Sequence, residues 1–465
     1  MTQNFRLDNV GLINRRKKIS FKFNRKKYFG YEGDTLASAL LANGIHLVGR
    51  SFKYHRPRGF IGSGVEESNA QVQLYSGDKT DPNAIATTVE LVEGMVAKSQ
   101  NCWPSVSFDL GEINNLLSKF FPAGFYYKTF MWPKNFWYKI YEPIIRKAAG
   151  LGVAPLKPDP DRYEHKFEYC DILIAGSGPS GLASALAAAK NGAKVILAED
   201  KPRFGGSLLT NEVTIGNKKG KEWANETIKQ LKAMPNVIVK NRSQVFGYYD
   251  HNMMVMFERT KDHIENPSRF TPRQRLWYIR AKEVIISTGS IERPLIFGNN
   301  DKPGIMLASA AKEYMKVYGV LVGKKPIIFT NNDSGYECAI EFKKNKIDPL
   351  IVDIRENSES SIIKEAKNMG IKIKFSHGIA NAKGYLRVTH ATVGKLNKEK
   401  SDYESLEDFS CDTICVSGNW TPTVHLSSQS GNKLKFNEKI NAFIPNQSRQ
   451  NESTVGAANG TFTLK

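Results

Sequence analysis

The sequence predicts an α/β protein in which a small β-grasp-like domain precedes a doubly wound region, and three observations carry that expectation. Apolar and polar residues alternate through Ile19-Ser20-Phe21-Lys22-Phe23 before turn glycines and an Ala/Leu-rich run. Strand and helix patterns then alternate from Tyr169 to the last residues, and the first of these strands runs straight into a glycine-rich turn at 176–181. The 465 residues, 41% apolar and 24% charged, suffice for several compact units and argue against a disordered, collagenous or membrane-embedded chain.

In chain order, Met1-Thr2-Gln3-Asn4-Phe5-Arg6 lacks the basic-then-apolar layout of a signal peptide, which predicts a cytoplasmic protein. Turn residues at Gly30 and Gly33 precede a helix expected over Thr35 to Asn43, with Asp34 as its N-cap and Gly44 as its stop. From about Leu110 to Pro160 aromatic residues crowd between Phe120 and Tyr141, interleaved with Lys128, Lys134 and Lys139 and broken by Pro122, Pro133 and Pro143. No period persists there, so the segment is expected to pack on a neighbouring domain or subunit rather than to stack on single-stranded nucleic acid. Pro155 to Pro160 reads as a linker.

The chemistry lies beyond it. Cys170-Asp171-Ile172-Leu173-Ile174-Ala175 is an apolar strand, and Leu182 to Lys190 a helix, with Gly176-Ser177-Gly178-Pro179-Ser180-Gly181 between them. This is G-x-G-x-x-G in its required context: the first glycine makes the tight turn, the second lets backbone approach a pyrophosphate, and the third lets helix and strand pack closely. The helix start then offers free N–H groups to the anion. A second strand, Val195-Ile196-Leu197-Ala198, delivers Glu199 and Asp200 at about 20 residues from the first glycine, where a carboxylate accepts the ribose diol and repels a 2′-phosphate. The pattern therefore predicts NAD or FAD and does not choose between them.

Gly205-Gly206-Ser207, just after the second strand, and the small-residue turn Ser287-Thr288-Gly289 after Val284-Ile285-Ile286 could also approach the cofactor. The candidate cofactor residues are Gly176, Ser177, Gly178, Pro179, Ser180, Gly181, Glu199, Asp200, Gly206, Ser207, Val245, Thr288 and Gly289. No nucleophile, general base or metal cluster stands out, so no catalytic residue and no metal ligand is nominated. A second strand-turn start at Pro326-Ile327-Ile328-Phe329 continues as Thr330-Asn331-Asn332-Asp333-Ser334-Gly335, a broken glycine pattern at which no second dinucleotide is expected, although Leu350-Ile351-Val352-Asp353 supplies the following strand.

Composition narrows the remaining classes. Lysine and arginine number 66 against 46 acidic residues, a net +20 that attracts anions without naming one. No nucleic-acid-binding motif accompanies it, so no nucleic acid is expected. The uncharged run Ile172 to Ala189 approaches the length of a membrane span, but its glycines fit a strand-turn-helix, and no membrane is expected. Cys102, Cys170, Cys338, Cys411 and Cys415 are odd in number and scattered, which fits a reducing compartment.

Longer stretches resemble a known family, the α subunits of heterotetrameric sarcosine oxidase, related to opine oxidase and hydrogen cyanide synthase subunits. The resemblance is carried by Gly33-Asp34-Thr35-Leu36-Ala37-Ser38-Ala39-Leu40-Leu41-Ala42-Asn43-Gly44, by Gly49-Arg50-Ser51-Phe52-Lys53-Tyr54-His55-Arg56-Pro57-Arg58-Gly59 and by Gly247-Tyr248-Tyr249-Asp250-His251-Asn252. Glu292-Arg293-Pro294 and Trp420-Thr421-Pro422-Thr423-Val424-His425-Leu426 add to it, while Ser68 stands for a usual proline and Asn419 for a usual glycine.

What the resemblance implies is a ferredoxin-like β-grasp domain over 1–105, an aromatic connecting segment over 106–165, and a two-part Rossmann-type FAD/NAD(P)-binding oxidoreductase region over 166–465 with a second α/β domain nested at about 305–410. The family polypeptide is about twice as long and ends in a folate-binding domain that this sequence lacks, so the chain is expected to be truncated. Its Gly456-Ala457-Ala458-Asn459-Gly460-Thr461-Phe462 is similar to the family's last cofactor-facing loop.

The resemblance further implies a cytoplasmic complex with β, γ and δ subunits, oxidising sarcosine to glycine, hydrogen peroxide and a one-carbon unit for tetrahydrofolate. FAD lies in the β subunit, FMN is shared between subunits, and NAD occupies the fingerprint found here. A stand-alone NAD(P)H- or flavin-dependent reductase is the alternative. The ferredoxin-like domain of the family holds a two-iron cluster on closely spaced cysteines, but Arg50 to Gly59 contains none and Cys102 stands alone, so no iron-sulfur cluster is expected. Lys53, His55, Arg56 and Arg58 are expected to make a subunit contact or to hold a phosphate.

Overall fold

The structure, a computed structural model, describes residues 3–120, 124, 130–149, 152–399 and 401–464. The chain divides into two compact units, Met1–Pro160 with Pro294–Gly418, and Asp161–Arg293 with Asn419–Lys465. The expected α/β class, with a β-grasp domain first and a Rossmann-type region after it, is the fold observed.

In the first unit the alternation around Ile19 belongs to a longer strand, Asn14–Phe23, in which Ile19, Phe21 and Phe23 point into the core. It is antiparallel to Lys26–Glu32 on one side and parallel to Val96–Ser99 on the other, and Gln71–Leu74 and Asp81–Ile85 complete the sheet. A helix, Leu36–Ala42, crosses between the parallel partners and is buried along its whole length. Its N-cap is Thr35 rather than Asp34: the Thr35 hydroxyl accepts the Ser38 N–H at 3.1 Å while the Ser38 hydroxyl takes the Thr35 N–H, a capping box. Asp34 instead binds the Ser38 hydroxyl at 2.7 Å and the Arg6 guanidinium at 2.7 Å, because its fully buried carboxylate requires both a hydrogen bond and an opposite charge.

The same unit contains a parallel sheet ordered Ile305–Leu307, Thr413–Ser417, Pro326–Thr330, Leu350–Asp353 and Lys372–Phe375, with the antiparallel meander His377–Lys383, His390–Leu396 and Tyr403–Ser410 beside it. Phe297, Ile327, Phe329, Ile379 and Val416 share one core beneath them. The N-terminal residues tie to this part through backbone bonds from Leu7 to Gly319 at 2.8 Å and from Leu321 to Phe5 at 2.8 Å. Of the aromatic segment, Phe121, Pro122, Phe125, Tyr126, Tyr127 and Lys128 lie outside the described residues. Trp132, Tyr138 and Phe120 in the described part are exposed.

The second unit is built on a sheet ordered Val237–Lys240, Val195–Ala198, Tyr163–Ala175, Gln274–Ile286, Met253–Arg259 and Ser243–Tyr249. The first four strands are mutually parallel, Glu452–Thr454 joins them beside the end of Gln274–Ile286, and the last two return antiparallel. Helices Pro179–Lys190 and Gly220–Ala233 bury Leu182, Ala185, Ala224 and Leu231 against Ile174, Val195 and Leu197 on one face. Cys170, Leu173, Met254, Met256 and Ile279 fill the other. At the passage back into this unit Asn419 has φ +85°, a left-handed backbone that glycine adopts freely and asparagine tolerates.

Candidate functional site

The fingerprint strand Tyr163–Ala175 ends at the carboxyl edge of the parallel sheet, and the chain turns there onto helix Pro179–Lys190. Gly176 has φ +104°, and a Cβ on it would collide with the Ser287 carbonyl oxygen. A Cβ on Gly181 would collide with the Gly176 carbonyl oxygen and reach 2.6 Å from Ser287 Oγ, so the third glycine is fixed by the contact between helix start and turn. Nothing lies within 4 Å of a Cβ built on Gly178, which leaves that face of the turn open to a ligand backbone. Pro179 occupies the first helical position and no side chain caps this end, so the first-turn N–H groups of Ser180 and Gly181 are presented to an anion.

Glu199 meets the turn from the second strand. Its Oε2 accepts the Ser177 N–H at 2.9 Å and the Ser177 hydroxyl at 2.5 Å, and its Oε1 accepts the Lys201 N–H at 3.1 Å. Burial, and then the charge of the adjacent Asp200, push its carboxyl up to about 8 against the opposing pull of Ser177. Asp200 follows at the strand end, where its carbonyl accepts Arg259 at 3.0 Å.

Three further segments converge on the fingerprint. The Gly205 N–H donates to the Ser177 carbonyl at 3.1 Å, Gly206 lies against Gly178, and Ser207 continues from it into a short helical turn, Gly206–Leu209. The Ser287 hydroxyl donates to the Gly176 carbonyl at 2.7 Å, which sets Thr288 and Gly289 beside the turn, and the Thr288 hydroxyl donates to the Thr423 carbonyl at 3.0 Å. Gly456, at the head of the turn after strand Glu452–Thr454, approaches Ser180 so closely that a Cβ would strike its hydroxyl.

Thus Gly176 to Gly181, Glu199, Gly206 and the Ser287-to-Gly289 turn are brought together. Val245 packs its side chain against the core that includes Ala175 and Ala198, the last residues of the two strands that deliver the fingerprint and Glu199, and Ser243, two residues earlier, donates its N–H to the Glu199 carbonyl at 2.8 Å. Ser287 and Thr423 are not among the residues the sequence nominates. The signal for Ser287 was present, a lone small hydroxyl ending an apolar strand, whereas Thr423 is joined to the site only by tertiary contact.

At the second strand-turn start, in the other unit, side chains of the unit itself bond one another. Asn332 Oδ1 accepts the Ser334 N–H at 2.8 Å, and Asp353 takes the Tyr336 hydroxyl at 2.7 Å and Arg355 at 2.8 Å. The basic loop is likewise matched internally: Arg56 pairs with Asp301 at 2.6 Å, Arg58 pairs with the same carboxylate, and His55 Nδ1 lies 2.6 Å from Asp109.

Residues 170–448 match the family model described as pyridine nucleotide-disulphide oxidoreductase, and residues 16–102 match the 2Fe-2S iron-sulfur cluster binding domain. The chain is 43% identical to the sarcosine oxidase subunit alpha of Rhizobium meliloti (strain 1021), over 99% of its own length and 46% of the relative's. It is 31% identical to the protein of that name from Corynebacterium sp. (strain U-96), over 96% of its own length and 42% of the relative's. The chain therefore spans less than half the length of these relatives. Among solved structures, L-proline dehydrogenase from P. horikoshii superposes with a TM-score of 0.62 at 18% identity, covering 98% of this chain and 71% of that one, a likeness of fold.

The match over 16–102 overturns the expectation of no iron-sulfur cluster, since this domain is one of a cluster-binding family. That expectation rested on the cysteine spacing alone. Cys102 is the only cysteine within that span. Among the described residues no three or more His, Cys, Asp or Glu are grouped to hold a metal. A cavity of about 210 Å³ at the loop is lined by Arg50, Ser51, Arg58, Asn69, Gln71 and Asn101 among others, with no thiolate, carboxylate or imidazole. These donors do not fit a two-iron cluster, and no chemical step is assigned to one.

Proposed function

The chain belongs to the pyridine nucleotide-disulphide oxidoreductase family and is similar along nearly its whole length to sarcosine oxidase α subunits, and from that premise we propose that it is the dinucleotide-binding α subunit, or part of one, of a sarcosine oxidase-like complex. The observation that carries the reading is the glycine turn of 176–181, with an open face at Gly178, an uncapped helix start and a carboxylate at the end of the second strand. In this proposal Gly176, Ser177, Gly178, Pro179, Ser180, Gly181, Gly206, Ser207, Thr288 and Gly289 cradle the pyrophosphate side. Glu199 and Asp200 face the adenosine ribose, and Val245 marks the strand beneath the adenine. When bound, the nicotinamide or flavin ring supplies acceptance of a hydride. The chain's own residues fix its orientation and exclude a 2′-phosphate by charge.

The complex would take sarcosine to glycine in the cytoplasm with β, γ and δ partners, passing the one-carbon unit to tetrahydrofolate. The division at 1–105, 106–165 and 166–465, with a nested domain near 305–410, belongs to the same reading. Mass spectrometry of nucleotide released from the purified chain, with its absorption spectrum, tests it. Released NAD without flavin absorbance is the expected result. Bound FAD with NADH turnover on an artificial acceptor in the absence of partners would favour the stand-alone reductase, and a chain that neither holds nor titrates any dinucleotide would overturn both.

A further inference from the structure

The second position of the fingerprint, Ser177, is left open by the glycine pattern, which specifies only the three glycines. Here it is fully buried, and its N–H and its hydroxyl both donate to one oxygen of Glu199, at 2.9 Å and 2.5 Å. Its carbonyl and its hydroxyl oxygen in turn accept the Gly205 N–H at 3.1 Å and 3.4 Å. One side chain thus connects the pyrophosphate turn, the acid at the end of the second strand and the double glycine after it. The fingerprint needs no hydroxyl for its geometry, so the hydroxyl serves the carboxylate.

We propose that Ser177 is a positioning residue that holds Glu199 as an oriented anion toward the ribose diol, and that it thereby makes dinucleotide affinity depend on pH. The inference rests on the dinucleotide reading above. Two donors on one carboxylate oxygen favour the charged form, while burial and the neighbouring Asp200 oppose it. Basic residues border this strand end as well. Lys240, whose carbonyl accepts the Glu199 N–H, directs its ammonium to Glu258 at 3.0 Å, and Arg259 donates to the Asp200 carbonyl. The backbone N–H groups of Lys201 and Arg242 bond to Glu199 Oε1 and to the Lys201 carbonyl. The serine hydroxyl is a side-chain donor acting on the Glu199 carboxylate. A deprotonated Glu199 accepts both ribose hydroxyls, so affinity rises as pH rises through its titration. Removing the hydroxyl raises that titration further.

The test is calorimetric titration of the full chain with NAD, and in parallel with FAD, between about pH 6 and pH 10. Wild type is expected to bind more tightly as pH rises. Ser177→Ala should bind about tenfold more weakly near neutrality, the difference closing toward the alkaline end, and Ser177→Thr should restore the wild-type profile. Since threonine must place a methyl group in a buried position, Ser177→Gly repeats the deletion without added bulk, and a thermal melt of each variant separates misfolding from lost affinity. A weakening of equal size at every pH, or none at all, overturns the inference while leaving the dinucleotide reading in place. A wild type that binds neither nucleotide removes both.

Discussion

Gly181 is held by distance rather than by backbone angle, since a methyl group there would enter the Gly176 carbonyl and crowd Ser287 Oγ. Gly181→Ala should therefore force the helix start off the strand, costing about 1 to 3 kcal/mol in denaturant unfolding and abolishing dinucleotide retention. Asn419 makes the opposite case. At φ +85° glycine replaces it without loss, so Asn419→Gly should change stability by less than about 0.5 kcal/mol, whereas Asn419→Val should cost about 1 to 2 kcal/mol in the same measurement. The glycines, the acid and the open turn were legible in the sequence because each answers a local geometric demand. Ser287 was legible only as part of a small-residue turn, because what its hydroxyl does depends on two strands, Tyr163–Ala175 and Gln274–Ile286, lying side by side.

The elements themselves were legible where the pattern is local and misjudged where a partner decides. The strand Val195–Ala198 ends where its apolar run ends, but the fingerprint strand begins at Tyr163, seven residues ahead of the apolar stretch, because alternating Glu164, Lys166 and Glu168 pair in register with Arg275, Trp277 and Ile279. The capping box on Leu36–Ala42 predicts that Thr35→Ala lowers unfolding free energy by about 1 kcal/mol. The loop from Arg50 to Gly59 is fastened by Asp301, which accepts from both Arg56 and Arg58. Burial alone would raise the Asp301 carboxyl, yet those two guanidinium groups bring it down from 3.8 to about 2. A depressed carboxyl contributes stability above its unfolded value and loses it as pH falls through the folded one. That contribution should therefore vanish between about pH 4 and pH 2, and an acid titration of Asp301→Asn should lack that step.

At the scale of the whole molecule, several basic residues are paired within the chain. Arg6, Arg50, Arg56, Arg58, Lys312 and Arg355 each face a carboxylate, and none of the described helices is long and apolar enough to cross a membrane. Dinucleotide that binds only the folded chain should add about 2.7 kcal/mol of stability at a hundredfold excess over its Kd, seen as a rise in melting temperature that grows with the logarithm of nucleotide concentration.

The strand Glu452–Thr454 and the glycine after it are the last pieces of a sheet whose first strand holds the fingerprint, roughly 280 residues earlier in the chain. On the ribosome, then, the nascent protein carries its glycine turn through all of those intervening residues before Gly456 emerges to close on Ser180. Nucleotide capture then waits for that closure, and a polypeptide stalled before that glycine should stay empty however much cofactor surrounds it.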